Sequence, residues 1–383
     1  MAADTPHQAL RAQADDLLAQ TWLKQALWQC HPFDVANATD GRGLDITVHD
    51  NCPMLAHSLS AHQHAGRAVS QYFAVGVQQA SCVAQLLAQC RLHHPPTIFD
   101  FACGHGRLQR FLQGVIPATS VYVCDVQTDA VDHLVARYGV QAVAASTDPS
   151  LFKAPVQFDV IWVASLFSHL PSDLFDRWLV ALAAQLSPSG VLAFSVHDQA
   201  LLPSDWALPD EGLLYQAGSE NAALDTRHYG TTFVSEARVA AGIERAGLGH
   251  WQRYPRLLAH EQDVYVACAE AMTWPSLRLG PRGWLDRIEH IGPHRWRIQG
   301  WAGSPEDGAL TTLRLQHPDG EQCISATQAS PEVASVLQQP KLAQVGFSHE
   351  FEAAEDAWMV LTAEDSQGLR SPVYAGPLVA DAH

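Results

Sequence analysis

The chain has 383 residues, enough for two domains at about 100–200 residues each. Asp and Glu number 40 against 23 Lys and Arg, a formal charge of −17, which repels phosphate backbones and anionic lipid and argues against a broad nucleic-acid-binding face. Hydrophobic residues make up 47% and charged residues 16%, so the chain buries a core instead of staying disordered.

The start, MAADTPHQALRAQADD, is acidic and lacks an apolar run, so no signal peptide is expected there. No stretch of about 18 apolar residues predicts a membrane-spanning helix. Cys30, Cys52, Cys82, Cys90, Cys103, Cys124, Cys268 and Cys323 are scattered without a CxxC, which predicts reduced thiols in a cytoplasmic protein.

Leu10, Leu17, Leu18, Trp22 and Leu27 approximate one helical face over 7–29. Residues 31–53 are rich in Asp, Asn, Gly and Pro and read as loop, with a short strand expected around Leu44–Val48. Val69, Tyr72, Phe73, Val77, Val83, Leu86 and Leu87 recur at three- and four-residue steps and predict one long or two broken helices over 65–90.

From Thr97 short apolar runs alternate with amphipathic stretches. The strands expected are TIFDFA (97–102), SVYVCD (120–125), VQAVAA (140–145), FDVIWVAS (158–165) and GVLAFSV (190–196), with helices over 105–113, 128–137 and 172–186. Continuous apolar runs mean strands covered on both faces, and the alternation means βαβ units. The expectation is a doubly wound, Rossmann-like, mostly parallel seven-stranded sheet. A polar stretch (198–231), a helix over 234–246 and an antiparallel pair near 249–255 and 263–269 complete it.

Pro275, Gly280, Pro281 and Gly283 mark a linker. Beyond it, 295–302, 310–317, 321–327, 346–352 and 358–365 are short and alternating, and Pro318-Asp319-Gly320 reads as a hairpin turn. The division expected is an N-terminal helical extension (1–64), an α/β domain (65–274) and a C-terminal sandwich-like β domain (282–380).

Asp100-Phe101-Ala102-Cys103-Gly104-His105-Gly106-Arg107 follows the first strand and opens a helix. Such a turn brings backbone N–H groups close to a ligand. A dinucleotide fingerprint wants a third glycine, and Gln109 stands there instead; Asp100 would also repel a pyrophosphate. An acid at that place suits a ligand with an ammonium group.

DFACGHGR resembles motif I of the class I S-adenosylmethionine-dependent methyltransferases. Asp125 ends the second strand, FDVIWVASLFSHLP (158–171) resembles the fourth-strand motif, and LSPSGVLAFSVHD (186–198) resembles the fifth strand with its turn. The resemblance spans about 65–270 and implies S-adenosylmethionine as cofactor. It implies Asp100, Ala102, Cys103, Gly104 and Gly106 at the methionine end and Asp125 on the ribose hydroxyls. It places Val126 on the adenine, Ser146 or Thr147 near the adenine amine, and Ser165 and Leu166 at the methyl-transfer end. QYFAVG resembles an element of some bacterial members and implies that Tyr72 and Gly76 cover the cofactor carboxylate. Arg107 is close enough to the turn to meet a carboxylate; its alternative is a solvated helix face.

Methyl transfer needs an aligned acceptor, dry surroundings and, for a high-pKa acceptor, a base. His169 and His197 follow strands at the carboxyl edge, where crevices of this fold lie, and are the candidates for that base, with Asp198 as an orienting group. Tyr229 and Thr232 fall in an insertion that can form the acceptor pocket. Neither His57, His62 and His64 nor Cys103, His105 and Cys124 has the spacing of a structural zinc site, so no metal is expected.

The expected activity is O-methylation of a small molecule or glycan. A catalytically weak cofactor-binding scaffold and a nicotinamide-dependent oxidoreductase are the alternatives. Trp284, Trp296, Trp301 and Trp358 in the tail suit either a sandwich core or sugar stacking. GWAGSPEDG (300–308) loosely resembles a β domain appended to bacterial polysaccharide-modifying enzymes. A homo-oligomer or docking contact through the tail is the other expectation.

Overall fold

A computed structural model describes residues 5–33, 43–90, 95–218 and 228–381. The chain divides into two compact units, residues 1–80 with 278–383, and residues 81–277. The first begins with α1 (Thr5–Leu18), α2 (Thr21–Gln29) and α3 (Pro53–His62). The unit boundary falls within α4 (Ala65–Gln89), a single 25-residue helix. Leu44, Ile46 and Val48 are alternately buried as a strand would be, yet 43–49 pairs with no ladder and forms no strand. Alternation reports burial of one face; a strand also needs a hydrogen-bonding neighbour. None of the described helices is long and apolar enough to cross a membrane.

The second unit is built on β1 (Ile98–Phe101), β2 (Val121–Cys124), β3 (Gln141–Ala142), β4 (Phe158–Val163) and β5 (Leu186–Asp198). They run parallel in the order β3-β2-β1-β4-β5. Between them lie α5 (Gln109–Leu112), α6 (Thr128–Tyr138) and α7 (Ser172–Ala183). Every residue of β1 and β4 is buried, as their unbroken apolar runs require. On α7, Leu174, Phe175, Trp178, Leu179 and Leu182 form one buried face. They meet a core that includes Phe99, stacked 4.5 Å from Phe158. Asp159, buried at the start of β4, accepts from Thr97 N, Thr97 Oγ1 and Ser187 Oγ at 2.9–3.0 Å and so ties the entrances of three strands.

After β5 come β6 (Leu213–Ala217), β7 (Gly230–Val234), α8 (Glu236–Arg245), β8 (His250–Leu258) and β9 (Gln262–Cys268). The expected antiparallel pair is present: β9 runs against β5 and β8 against β9. The sheet has nine strands where seven were expected. The extra pair, β6 and β7, lies in the stretch read as polar loop. Both are short and set in a polar stretch without a long apolar run, and β7 lies parallel against the far end of β5 (His197↔Phe233). The 13-residue β5 overshoots its expected bounds, and that overshoot gives β7 its neighbour.

The C-terminal part of the first unit is a β sandwich. One sheet has the order β10-β11-β14: β10 (Arg282–Gly292), β11 (Arg295–Gly303) and β14 (Gly346–Glu352). The other is β13-β12-β15-β16: β12 (Thr312–His317), β13 (Gly320–Ile324), β15 (Trp358–Glu364) and β16 (Arg370–Pro377). Helix α9 (Pro331–Val336) precedes β14. Leu285, Ile288, Ile298 and Phe347 face Leu313, Leu315, Met359 and Leu361 between the sheets. Of the four tryptophans, Trp296 is core; Trp358 stacks on Trp22 of α2 at 4.9 Å, Trp284 lies 4.8 Å from His62 of α3, and Trp301 packs on Leu342 and Val345. Arg67 of α4 holds Asp381 bidentately at 2.7 and 2.8 Å and donates to the carbonyls of Leu285 and Asp286.

Candidate functional site

At the tip of β1 the chain makes a tight turn instead of the expected helix over 105–113; only α5 is helical. Ala102, Gly104 and Gly106 all have positive φ, at 61°, 51° and 82°. For an alanine this costs about 1–2 kcal/mol. The N–H groups of Ala102 and Cys103 both donate to the carbonyl of Cys124, at 2.8 and 3.2 Å, and pin the turn to the tip of β2. The two glycines serve different ends. A Cβ on Gly106 would lie 2.4 Å from Leu134 of α6, whereas one on Gly104 would meet nothing within 4 Å. Gly106 allows close packing; Gly104 faces open space.

Asp125, at the tip of β2 and buried, accepts from Gly104 N at 2.8 Å through Oδ2 and from Gln127 N at 2.9 Å through Oδ1. Its neighbour Val126 is half exposed. Asp100 is buried and accepts from Gln109 Nε2 at 2.7 Å. Burial pushes the Asp100 carboxyl up to about 7, the Gln109 bond opposes this, and the nearby Asp125 adds to it. Gln109 is 1% exposed and was seen in the sequence only as a missing glycine. Burial raises the Cys103 thiol well above its ordinary value and Cys124 to about 12, so both stay protonated and unreactive. Arg107 is half-buried; Arg110 is buried and donates to Gly106 O at 3.2 Å. Ser146 closes a local turn, donating to Asp148 O and accepting from Asp148 N.

The tips of β4 and β5 are joined by side chains. Ser165, another positive-φ residue at 57°, donates its N–H to Ser195 Oγ at 2.8 Å. The hydroxyls of Ser165 and Ser195 both donate to Gln262 Oε1, at 3.2 and 2.7 Å. Gln262 Nε2 in turn lies 3.3 Å from His197 Nε2. An amide NH₂ only donates, so His197 Nε2 accepts and the ring proton sits on Nδ1. Burial lowers the His197 pKa to about 4, the nearby His169 adds to this, and the Thr232 backbone opposes it. Leu166 is half-buried against the core.

His169 Nδ1 lies 2.5 Å from the carbonyl of Gly230. A carbonyl only accepts, so Nδ1 carries the proton and Nε2 is the basic nitrogen. Strand β7 straps this loop further: Gly230 N donates to His169 O, Thr232 N to Ser168 O and Thr232 Oγ1 to Leu170 O, at 2.6–2.9 Å. The His169 ring stacks 4.5 Å from Tyr229 and lies 6.0 Å from His197. Asp198, expected to orient His197, caps Ala200 N and pairs with Arg253, each at 2.9 Å. Adjacent strand residues point to opposite faces, which separates the two. Tyr72 and Gly76 are buried on the part of α4 that belongs to the first unit, where the Tyr72 hydroxyl accepts from Cys52 Sγ at 3.7 Å.

Residues 99–192 match a family model described as a methyltransferase domain. The chain is 25% identical over 199 residues to a malonyl-[acyl-carrier protein] O-methyltransferase of Pseudescherichia vulneris, over 52% of this chain and 72% of that one. Over residues 99–192 the chain is thus similar to methyltransferase domains. Among solved structures, the chain is similar to the 1,6-didemethyltoxoflavin-N1-methyltransferase of Burkholderia thailandensis: 20% identity, 51% of this chain, 77% of that one, TM-score 0.36. It is also similar to the glycopeptide N-methyltransferase MtfA: 15% identity, 51% of this chain, 90% of that one, TM-score 0.39.

Proposed function

We propose that the domain methylates an oxygen of a small molecule or glycan, with His169 as the base. One observation carries this reading: the Gly230 carbonyl fixes the proton of His169 on Nδ1 and leaves Nε2 as the basic nitrogen at the strand edge.

S-adenosylmethionine supplies a methyl carbon already activated by its sulfonium. The residues at the tips of β1 and β2 fit it. A carboxylate offers about four acceptor positions; two on Asp125 hold Gly104 and Gln127, which leaves capacity for the ribose hydroxyls. The open space over Gly104 would admit the methionine end. Val126 offers an exposed apolar face to the adenine, and Ser146 lies on its amine side. Ser165 and Leu166 line the methyl-transfer end.

On the acceptor side, His169 Nε2 takes the hydroxyl proton, and the Nδ1–H bond to Gly230 steadies the charge that the ring gains. His197 serves packing and alignment instead. Its Nε2 is engaged by Gln262, and a pKa near 4 leaves it a weak base at neutral pH. A cytoplasmic site of action belongs to the same proposal, because free thiols, seven of them buried, are the form that a reducing compartment keeps.

The test is label transfer from methyl-labelled S-adenosylmethionine to a panel of phenols, sugars, alkyl alcohols and amines. Label on hydroxyl acceptors is expected. Label on amines alone would overturn the oxygen assignment. Tight S-adenosylhomocysteine binding with no transfer to any class would favour a scaffold.

A further inference from the structure

A row of five rings runs along the carboxyl edge on the acceptor side. Trp206, in the loop after β5, lies 6.3 Å from Phe233 of β7, edge to face. Phe233 is 5.6 Å from His197, His197 is 6.0 Å from His169, and His169 stacks on Tyr229 at 4.5 Å. The rings come from four segments of chain, with Tyr229 and Phe233 together at β7, so the row is assembled by the sheet.

None of the five is buried. Trp206 is 41% exposed and the other four are half-buried. Their strand neighbours Val196, Thr232 and Val234 are at most 1% exposed. The alternation of β5 and β7 therefore sends one set of side chains into the core and lays the rings along an open edge. A row of partly open rings beside a proposed reaction site suits a ligand face, and ring faces prefer planar partners in offset or edge-on contact.

The base points the same way. A phenol, near 10, gives up its proton far more readily than an alkyl or sugar hydroxyl, whose acidity is close to that of water at about 15.7. Proton transfer to His169 is practicable from the first and poor from the second.

We infer that the methyl acceptor is a planar aromatic molecule with a ring hydroxyl, held along Trp206, Phe233 and Tyr229 with that hydroxyl at His169. This rests on the oxygen-methylation reading and narrows its acceptor. The phenolic O–H bond breaks and its proton passes to His169 Nε2. The new O–C bond forms as the C–S bond breaks, and that electron pair leaves with sulfur.

The full chain saturated with S-adenosylhomocysteine is titrated with 2-naphthol and, separately, with methyl α-glucoside. Saturable binding of 2-naphthol is expected, weakened about fivefold or more by Trp206→Ala and restored by Trp206→Phe. S-adenosylhomocysteine affinity is expected to stay the same in both variants, which controls for folding. Label transfer to 2-naphthol should exceed transfer to the glucoside. Three results overturn the inference: no saturable 2-naphthol binding to the loaded protein, equal binding by Trp206→Ala, or preference for the glucoside. Failure of the unmodified chain to bind S-adenosylhomocysteine would bring down the methyltransfer reading with it.

Discussion

The two halves of the carboxyl edge are built from different materials. At the tips of β1 and β2 the partners lie within 22 residues of one another and include backbone N–H groups: Gly104 N to the Asp125 carboxylate, Ala102 N to Cys124 O, and Gln109 to Asp100 between side chains. At the tips of β4 and β5 side chains dominate and the partners are far apart: Ser165 with Ser195 and Gln262, His169 with Gly230, His197 with Gln262. The proposed donor pocket is therefore built from one short run of the sequence. An acceptor pocket made of rings and a strapped histidine turns on single residues.

That contrast is broken most severely by His169→Gln. The amide can still donate to Gly230 but cannot take a proton. Turnover should fall by about 10²–10⁴ while S-adenosylhomocysteine affinity is unchanged. Steady-state rates and calorimetry check this, and equal loss in both would give His169 a structural role. Asp125→Ala should do the reverse. Losing the ribose bonds costs about 1–3 kcal/mol, so the dissociation constant for S-adenosylhomocysteine should rise about 5- to 150-fold. Turnover at saturating cofactor should change far less.

A smaller effect sharpens the donor half. The folded-state pKa of Asp100, about 7, lies above its unfolded value, so the folded chain holds an extra proton between about pH 4 and 7. Stability from this group is complete below that window and is lost as pH rises through it. Asp100→Asn keeps an acceptor for Gln109 and removes the titration. Its melting temperature relative to the unmodified chain should therefore rise from pH 5 to pH 8.5. A difference independent of pH would show that Asp100 titrates normally.

The same contrast explains what was legible in the sequence. The donor half is encoded locally: a strand, a glycine turn and an acid at the next strand end. So β1, β2 and β4, and the turn at 102–106, lie where the residues predict. The partners on the acceptor side meet only through the sheet. Ser195 and Gln262 carry no motif, and Gln262 joins Ser165 and His197 because antiparallel β9 lies beside β5. The β6–β7 pair lies in a polar stretch with no long apolar run to mark it, and the Gly230 carbonyl that sets the His169 tautomer belongs to it. Gln109 read as a departure from a nucleotide motif and is instead the partner of a buried acid. Adjacency suggested Asp198 for His197, but the strand alternation sends its carboxylate to Arg253.

A crystal structure of the chain with S-adenosylhomocysteine tests the central claim most directly. The ribose hydroxyls are expected within hydrogen-bond distance of Asp125, the methionine end over Gly104, and the sulfur directed toward the edge that holds His169. A ligand bound elsewhere, or a Gly104 turn closed against it with Asp125 making only its bonds to Gly104 and Gln127, would contradict the account.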